Sequence, residues 1–234
     1  MRVQHSDLRS MTDMTDHLSD VAAAALSVLQ SAHDGDAAAA ERLGELMPSL
    51  TAAAESGDTG AQNVLGGILL EHTGSPSDAA FWFGKAAGAG SPVGKRSLGH
   101  LLADGLGVPQ DLAEAERLFR EAADDGDAHA RFNLARLWWG KRDPQTVAGL
   151  LRSAAESGVE EAYGPLGDLL TAEGHGVEAL TWYFKSIHAG DADVLHDAIT
   201  LARGLTDEDI HRAGNVAGCA GYADAIVKTV RKYR

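Results

Sequence analysis

Histidine, cysteine and paired acids are the side chains that most often ligate metals or act as nucleophiles. The chain holds ten histidines, and no two of them stand four residues apart, the spacing that would bring both rings to one side of a helix. Its one cysteine, Cys219, has no general base close to it in the sequence. We therefore expect no metal site, and we expect Cys219 to be a small packing residue.

Motifs that bind cofactors or activate nucleophiles are also missing. The sequence contains no GxSxG nucleophile elbow, no GxxxxGK[ST] phosphate loop, no HExxH zinc helix and no dinucleotide fingerprint after a strand. We therefore expect neither an enzymatic activity nor a bound cofactor. An enzyme, or a subunit that regulates one, with its site at one end of a groove is the alternative that the sequence leaves open.

Charge and composition exclude further classes of protein. The 234 residues carry a formal net charge of -14, from 34 acidic against 20 basic side chains, and such a surface repels nucleic-acid phosphates. One cysteine cannot form an intrachain disulfide, and no apolar run is long enough to span a bilayer. The most apolar stretch near the N-terminus, "VAAAALSVL", follows acidic residues, which is the wrong flank for export. We expect a cytoplasmic protein that binds neither nucleic acid nor membrane.

The glycines that might suggest a phosphate loop recur instead with a fixed spacing. A glycine closes each small-residue pair such as "AAESG" or "AADDG", and eight residues later stands a leucine, or once an alanine. Successive glycines are 33, 36, 32 and 32 residues apart, a period typical of helical repeat arrays. We call these the repeat glycines: Gly57, Gly90, Gly126, Gly158 and Gly190.

Each period divides into two helices by the same spacing argument. A bulky pair, such as Trp82 and Phe83, lies four residues before the first alanine of each pair, which puts both on one helix face. This second helix ends at the repeat glycine, which suits a left-handed C-terminal cap. The following first helix carries leucine and glycine, and its glycine should let the neighbouring helix approach closely. The alanine pair is expected at the contact between successive repeats.

One stretch carries the whole pattern and resembles a known family. "GLGVPQDLAEAERLFREAADDGDAHARFNLARL" is similar to the Sel-one-like repeat (SLR), a relative of the tetratricopeptide repeat. The shared elements are the glycine-rich loop, the aspartate before the second helix, the bulky pair, the double alanine and the glycine. The resemblance covers about residues 50 to 205. It implies an all-α fold, a right-handed α/α superhelix, and a role as a scaffold or adaptor.

The ends of the chain depart from the repeat. Ala198 and Ile199 replace the leucine and glycine in the last repeat, and the step from Gly35 to Gly57 is too short for a full one. Degenerate ends fit capping units, which face water on one side. We predict lead-in helices over 1–34, the repeat array over 35–205 and capping helices over 206–234. Thr206 is a plausible N-cap for the last segment. About twelve to fourteen helices are expected in all.

A partner-binding surface follows from the repeat register. In helical arrays the first helices commonly line a concave groove that binds peptides. Residues six, ten and thirteen after each repeat glycine share one helix side, and on this acidic chain they include arginine, histidine and tryptophan. Arginine beside aromatic rings suits an acidic segment or a chain's C-terminal carboxylate. The predicted groove residues are Asn63, Arg96, His100, Phe132, Arg136, Trp139, Asp168 and His196.

Self-association is the other alternative that the sequence leaves open. The C-terminal stretch "ADAIVKTVRKY" reads as an amphipathic helix. Left uncovered, its apolar side would form a patch that favours a homo-oligomer.

Overall fold

The computed structural model describes residues 19–33, 36 and 38–232, and within them it contains thirteen α-helices, one short 3₁₀ turn and no strand. The all-α fold and the expected number of helices are confirmed. None of the helices in these ranges is long and apolar enough to cross a membrane. The helices are α1 (Asp20–His33), α2 (Ala39–Glu55), α3 (Thr59–Glu71), α4 (Pro76–Gly88), α5 (Pro92–Asp104), α6 (Leu112–Asp124), α7 (Ala128–Trp138), α8 (Pro144–Glu156), α9 (Tyr163–Ala172), α10 (Gly176–His188), α11 (Leu195–Ala202), α12 (Asp207–Val216) and α13 (Ala220–Lys232).

The chain divides into two compact units, an N-terminal unit, Met1–Ala130, and a C-terminal unit, Arg131–Arg234. The boundary falls inside α7 and coincides with neither boundary of the three segments expected from the repeat pattern. That division into three segments stays a prediction. Residues 1–18 and 34 of the expected lead-in segment lie outside the described residues, as does Gly35, where the short step begins, whereas α2 occupies most of the step to Gly57.

The junction between successive repeats is built around the repeat glycine, and the one at Gly126 shows how. At Gly126 the backbone is left-handed, with φ 98°, and its N–H donates to the carbonyl of Ala123. The next N–H, of Asp127, donates to the carbonyl of Ala122, which closes α6 with a Schellman-type cap. The Asp127 carboxylate then accepts the N–H of Ala130 and so caps α7. The left-handed glycine cap predicted from the sequence is confirmed here and at the other four repeat glycines, which also have positive φ.

Close approach within a repeat depends on a glycine in the first helix. A Cβ added to Gly99 would lie 2.9 Å from the Phe119 ring, and one added to Gly167 would lie 2.5 Å from the Tyr183 ring. Gly66 meets the Phe83 ring in the same way, at 2.7 Å. These distances are too short for any side chain, so the predicted role of the glycine is confirmed.

The helices at both ends bury their apolar sides. On α13, Ile226, Val227 and Val230 belong to a buried cluster of the C-terminal unit. On α1, Ala25 and Leu29 belong to a buried cluster of the N-terminal unit. The predicted cap of α12 is present, since the hydroxyl of Thr206 accepts the N–H of Asp209.

Candidate functional site

Two of the predicted groove residues in the N-terminal unit are turned inward. Asn63 is 7% exposed and Arg96 is 2% exposed. Asn63 Nδ2 donates to Ser91 Oγ at 2.9 Å, and Arg96 Nε donates to Asp127 Oδ2 at 3.1 Å. Both acceptors stand directly after a repeat glycine and cap the next first helix. The side chains six residues after Gly57 and Gly90 therefore join successive repeats inside the chain.

The Arg96–Asp127 contact is a buried ion pair. The Asp127 side chain is 8% exposed, and its other carboxylate oxygen accepts the N–H of Ala130. A carboxylate in so little water is stabilised by the guanidinium and by the backbone donor together. Arg96 was expected to line a binding groove. Instead, its guanidinium is buried in an ion pair within the N-terminal unit and does not reach the surface.

His100 lies on the same helix as Arg96 and is only partly accessible. Its side chain is about a quarter exposed, and its Nε2 stands 3.7 Å from Asp104 Oδ2, one helical turn further along. Nδ1 is buried with no hydrogen-bond partner among the described residues. His100 therefore offers one ring edge to solvent, and the N-terminal unit presents little of the predicted groove as open surface.

In the C-terminal unit the predicted residues of α7 are accessible. Arg136 is exposed, and its guanidinium carbon lies 5.9 Å from the centre of the half-buried Phe132 ring. Trp139, just beyond the helix, is 44% exposed. No acid within the described ranges forms an ion pair with Arg136, so its charge is available to an external group. Phe132, Arg136 and Trp139 thus combine a cation with apolar area, as protein-binding hot spots do.

The sequence around these residues is basic in an otherwise acidic chain. Residues 128–142 contain no acid, although Asp127 and Asp143 flank them, and they include four bases. Lys141 is exposed, whereas Arg142 stacks its guanidinium 5.1 Å from the Trp138 ring centre. Lys141 was missed by the repeat register, because it lies beyond the helix, but the absence of acids from this stretch indicates it. We call Phe132, Arg136, Trp139 and Lys141 the basic aromatic patch.

Asp168 and His196, the remaining predicted residues, are both exposed. Asp168 is held within its own repeat, because its carboxylate accepts the Tyr183 hydroxyl at 2.8 Å. Burial raises the pKa of Tyr183 to about 12, so the phenol is protonated and donates at neutral pH. The Thr171 hydroxyl oxygen lies 3.3 Å from the Tyr183 phenol oxygen. Asp168 is thus held in place, whereas no hydrogen bond or ion pair joins His196, on α11, to another described residue.

Within the described residues no three histidine, cysteine, aspartate or glutamate side chains come close enough to hold a metal ion. The Cys219 thiol is buried, with Sγ 3.8 Å from the Phe184 carbonyl oxygen. Burial also raises the pKa of this thiol. A buried thiol with a raised pKa is a poor nucleophile, so Cys219 is placed for packing.

Comparison with known proteins agrees with the repeat pattern. The Sel1 repeat model matches residues 61–91 and 94–127. A curated relative, an uncharacterized protein of Neisseria meningitidis serogroup B, is 36% identical over 99 residues, which is 42% of this chain. The chain spans only 21% of that relative's length.

Two solved structures share the fold. A Sel1 repeat protein from Oxalobacter formigenes has a TM-score of 0.65 and 20% identity, and the match covers 91% of this chain and 87% of that one. A protective antigen of uropathogenic Escherichia coli strains that displays an SLR fold has a TM-score of 0.62 and 23% identity. The match covers 87% of this chain and 49% of that one. Identities this low show the fold alone.

Proposed function

The chain is a Sel1-repeat protein, and on that premise we propose that it is a non-enzymatic scaffold or adaptor that binds a protein or peptide partner. Sel1 repeats are typically protein-interaction modules. The basic aromatic patch of the C-terminal unit is the observation that carries the proposal for this chain. Arg136 is exposed there with no acid of the described chain paired to it, and Trp139 is 44% exposed beside it.

The partner class follows from the chemistry of the patch. Arg136 and Lys141 are cations on a chain of net charge -14, so the patch attracts a carboxylate that the rest of the surface repels. Phe132 and Trp139 favour an apolar side chain next to that carboxylate. We expect either an acidic segment that also carries apolar residues or the C-terminal carboxylate of a partner chain. Arg96 and Asn63 play no part, because their side chains are used within the N-terminal unit.

The alternatives find less support than the adaptor role. The buried Cys219 and the lack of a metal-binding cluster among the described residues give an enzymatic site no visible starting point. The apolar side of α13 is covered by the chain itself, which removes the patch that a C-terminal homo-oligomer would need. A single buried thiol is compatible with a reducing compartment such as the cytoplasm.

Binding to designed peptides tests the proposal directly. We would measure fluorescence anisotropy with a labelled peptide of about twelve residues that alternates glutamate with leucine or phenylalanine. A second peptide would carry the same residues with an amidated C-terminus, and a third would have lysine in place of glutamate. The acidic peptides should bind and the lysine peptide should not, and binding should weaken as salt is added. Arg136→Glu combined with Lys141→Glu should weaken binding by about tenfold or more.

Lys228→Glu is the matched control, because Lys228 is an exposed base of the same unit on α13. It changes the net charge by the same amount per residue but lies outside the patch, so it should leave the affinity unchanged. If Lys228→Glu lowered the binding free energy by about half as much as the double variant, total charge alone would account for the attraction. Tight binding to the patch variant would refute the patch as the docking surface.

A further inference from the structure

A second exposed surface lies in the N-terminal unit, on the second helix α4. Asp78, Phe81 and Lys85 stand three and four residues apart, so they share one side of the helix, and all three are exposed. Phe81 is 57% exposed, the most exposed aromatic side chain of the described chain. Gly84 lies on the same side, and a Cβ added there would meet nothing within 4 Å. We call Asp78, Phe81, Gly84 and Lys85 the α4 face.

The apolar part of the α4 face is ordered. The Phe81 ring meets the half-buried Trp82 ring edge-on, with centres 5.1 Å apart. The Lys85 ammonium lies 5.1 Å from the Phe81 ring centre and 5.9 Å from the Trp82 ring centre. Phe81 is therefore held in place before any partner arrives, which lowers the entropy lost on docking.

The corresponding side of α6 shows how a solvated helix face is built. Relative to the next repeat glycine, Glu114, Arg117 and Glu121 stand where α4 has Asp78, Phe81 and Lys85. Arg117 bridges both glutamates on α6, so its charges are satisfied within the helix. On α4 the acid and the base are seven residues apart, roughly 10 Å along the axis, with an aromatic ring between them. No ion pair joins either charge to another described residue.

We propose that α4 pairs antiparallel with α4 of a second copy of this chain. A two-fold axis near Phe81 would place Asp78 of each copy opposite Lys85 of the other, with the two Phe81 rings packed between these ion pairs. Gly84 would leave room for the second helix to approach. A parallel pairing would bring like charges together, so the charge pattern selects the antiparallel one. This interface is separate from the basic aromatic patch and does not depend on it.

The charge pattern provides a test by mixing two variants. We would measure sedimentation velocity of the full chain over a range of concentrations, for the parent and for Asp78→Lys and Lys85→Asp. Each variant alone places like charges across the interface and should dissociate at concentrations about tenfold higher than the parent. Mixed in equal amounts, the two should associate again, because every contact then joins opposite charges. Recovery on mixing also shows that both variants are folded.

Two further variants separate the possible interfaces. Phe81→Ser should weaken self-association without changing the helical circular dichroism spectrum. Lys228→Asp, on the C-terminal helix, should leave self-association as in the parent. The proposal is overturned if the parent sediments as a monomer throughout, if the mixed variants stay apart, or if Lys228→Asp dissociates the pair. The Arg136→Glu, Lys141→Glu variant should still self-associate, so loss of peptide binding and loss of this interface are distinguishable.

Discussion

The two units use the same repeat positions for different purposes. Six residues after the repeat glycine, the N-terminal unit has Asn63 and Arg96, both buried and bonded to the next repeat. The C-terminal unit has the half-buried Phe132, the buried Gly164 and the exposed His196 at that position. Ten residues after the glycine, His100 is partly covered, whereas Arg136 and Asp168 are exposed. A repeat position therefore specifies a helix side but not whether a side chain reaches a partner.

The residue after the following repeat glycine accounts for much of the difference. Ser91 and Asp127 are polar, and each accepts a hydrogen bond from the side chain six positions into the preceding first helix. Val159, at the corresponding position for Phe132, is apolar and buried. In these three repeats the two positions match in chemistry, polar with polar and apolar with apolar, whereas Gly164, which has no side chain, is followed by the polar Asp191. Where both positions are polar, the arginine or asparagine forms a hydrogen bond within the chain and is not available to a partner.

Arg96→Ala should produce the largest effect on stability. The substitution leaves the buried Asp127 carboxylate without its cation, a loss typically of about 3–5 kcal/mol. Arg136→Ala, the exposed arginine of the C-terminal unit, should change stability by less than about 0.5 kcal/mol. Urea denaturation followed by circular dichroism measures both. Equal losses for the two arginines would contradict the division between a structural and an available side chain.

A glycine-to-alanine change compares how the two units pack their helix pairs. In the N-terminal unit Gly99 contacts Phe119, whereas one repeat of the C-terminal unit holds Ala135 and Leu151 at the corresponding positions and the next keeps the glycine–aromatic pair, Gly167 and Tyr183. Gly99→Ala should destabilise by about 1–3 kcal/mol, because its Cβ would overlap the ring. Adding Phe119→Leu recreates the alanine–leucine combination and should recover part of the loss.

Gly149→Ala on α8 is the control for that experiment, since a Cβ there meets nothing within 4 Å. It should stabilise the protein by roughly 0.5–1 kcal/mol, through helix propensity alone. The same denaturation measurement applies to all three variants. A stabilising Gly99→Ala would mean that the helices separate at little cost.

Alkaline pH should affect the C-terminal unit through Tyr183, whose counterparts in the N-terminal unit are Phe83 and Phe119. Burial raises the Tyr183 pKa from 10.0 to about 12. The stability that the protonated phenol contributes is therefore complete below pH 10 and is lost as the pH rises toward 12. The loss is at most about 1.4 kcal/mol per pH unit. Between about pH 9.5 and 11, the denaturation midpoint of the parent should fall more steeply with pH than that of Tyr183→Phe. Parallel slopes would argue against a protonated, buried Tyr183.

Local patterns in the sequence were sufficient to predict the helices and their junctions. A glycine after the alanine pair favours a left-handed cap, and the next polar residue favours an N-cap, because both preferences act within a few bonds of the backbone. The glycine opposite each aromatic ring was also predictable, since helix spacing places it on the side that faces the second helix. The adaptor role and the list of groove residues remain predictions.

The sequence by itself determined that the chain is all-α, where the repeat glycines end their helices, and which residues share a helix side, because these depend on local periodicity. Only the tertiary structure decided that Arg96 is buried against Asp127 while Arg136 is open, that the apolar side of α13 is covered, and that Phe81 is not. Exposure is a property of what packs over a residue, and that neighbour stands a full repeat away in the sequence. The same residue type on the same helix side can therefore stabilise one repeat and remain available for binding in the next.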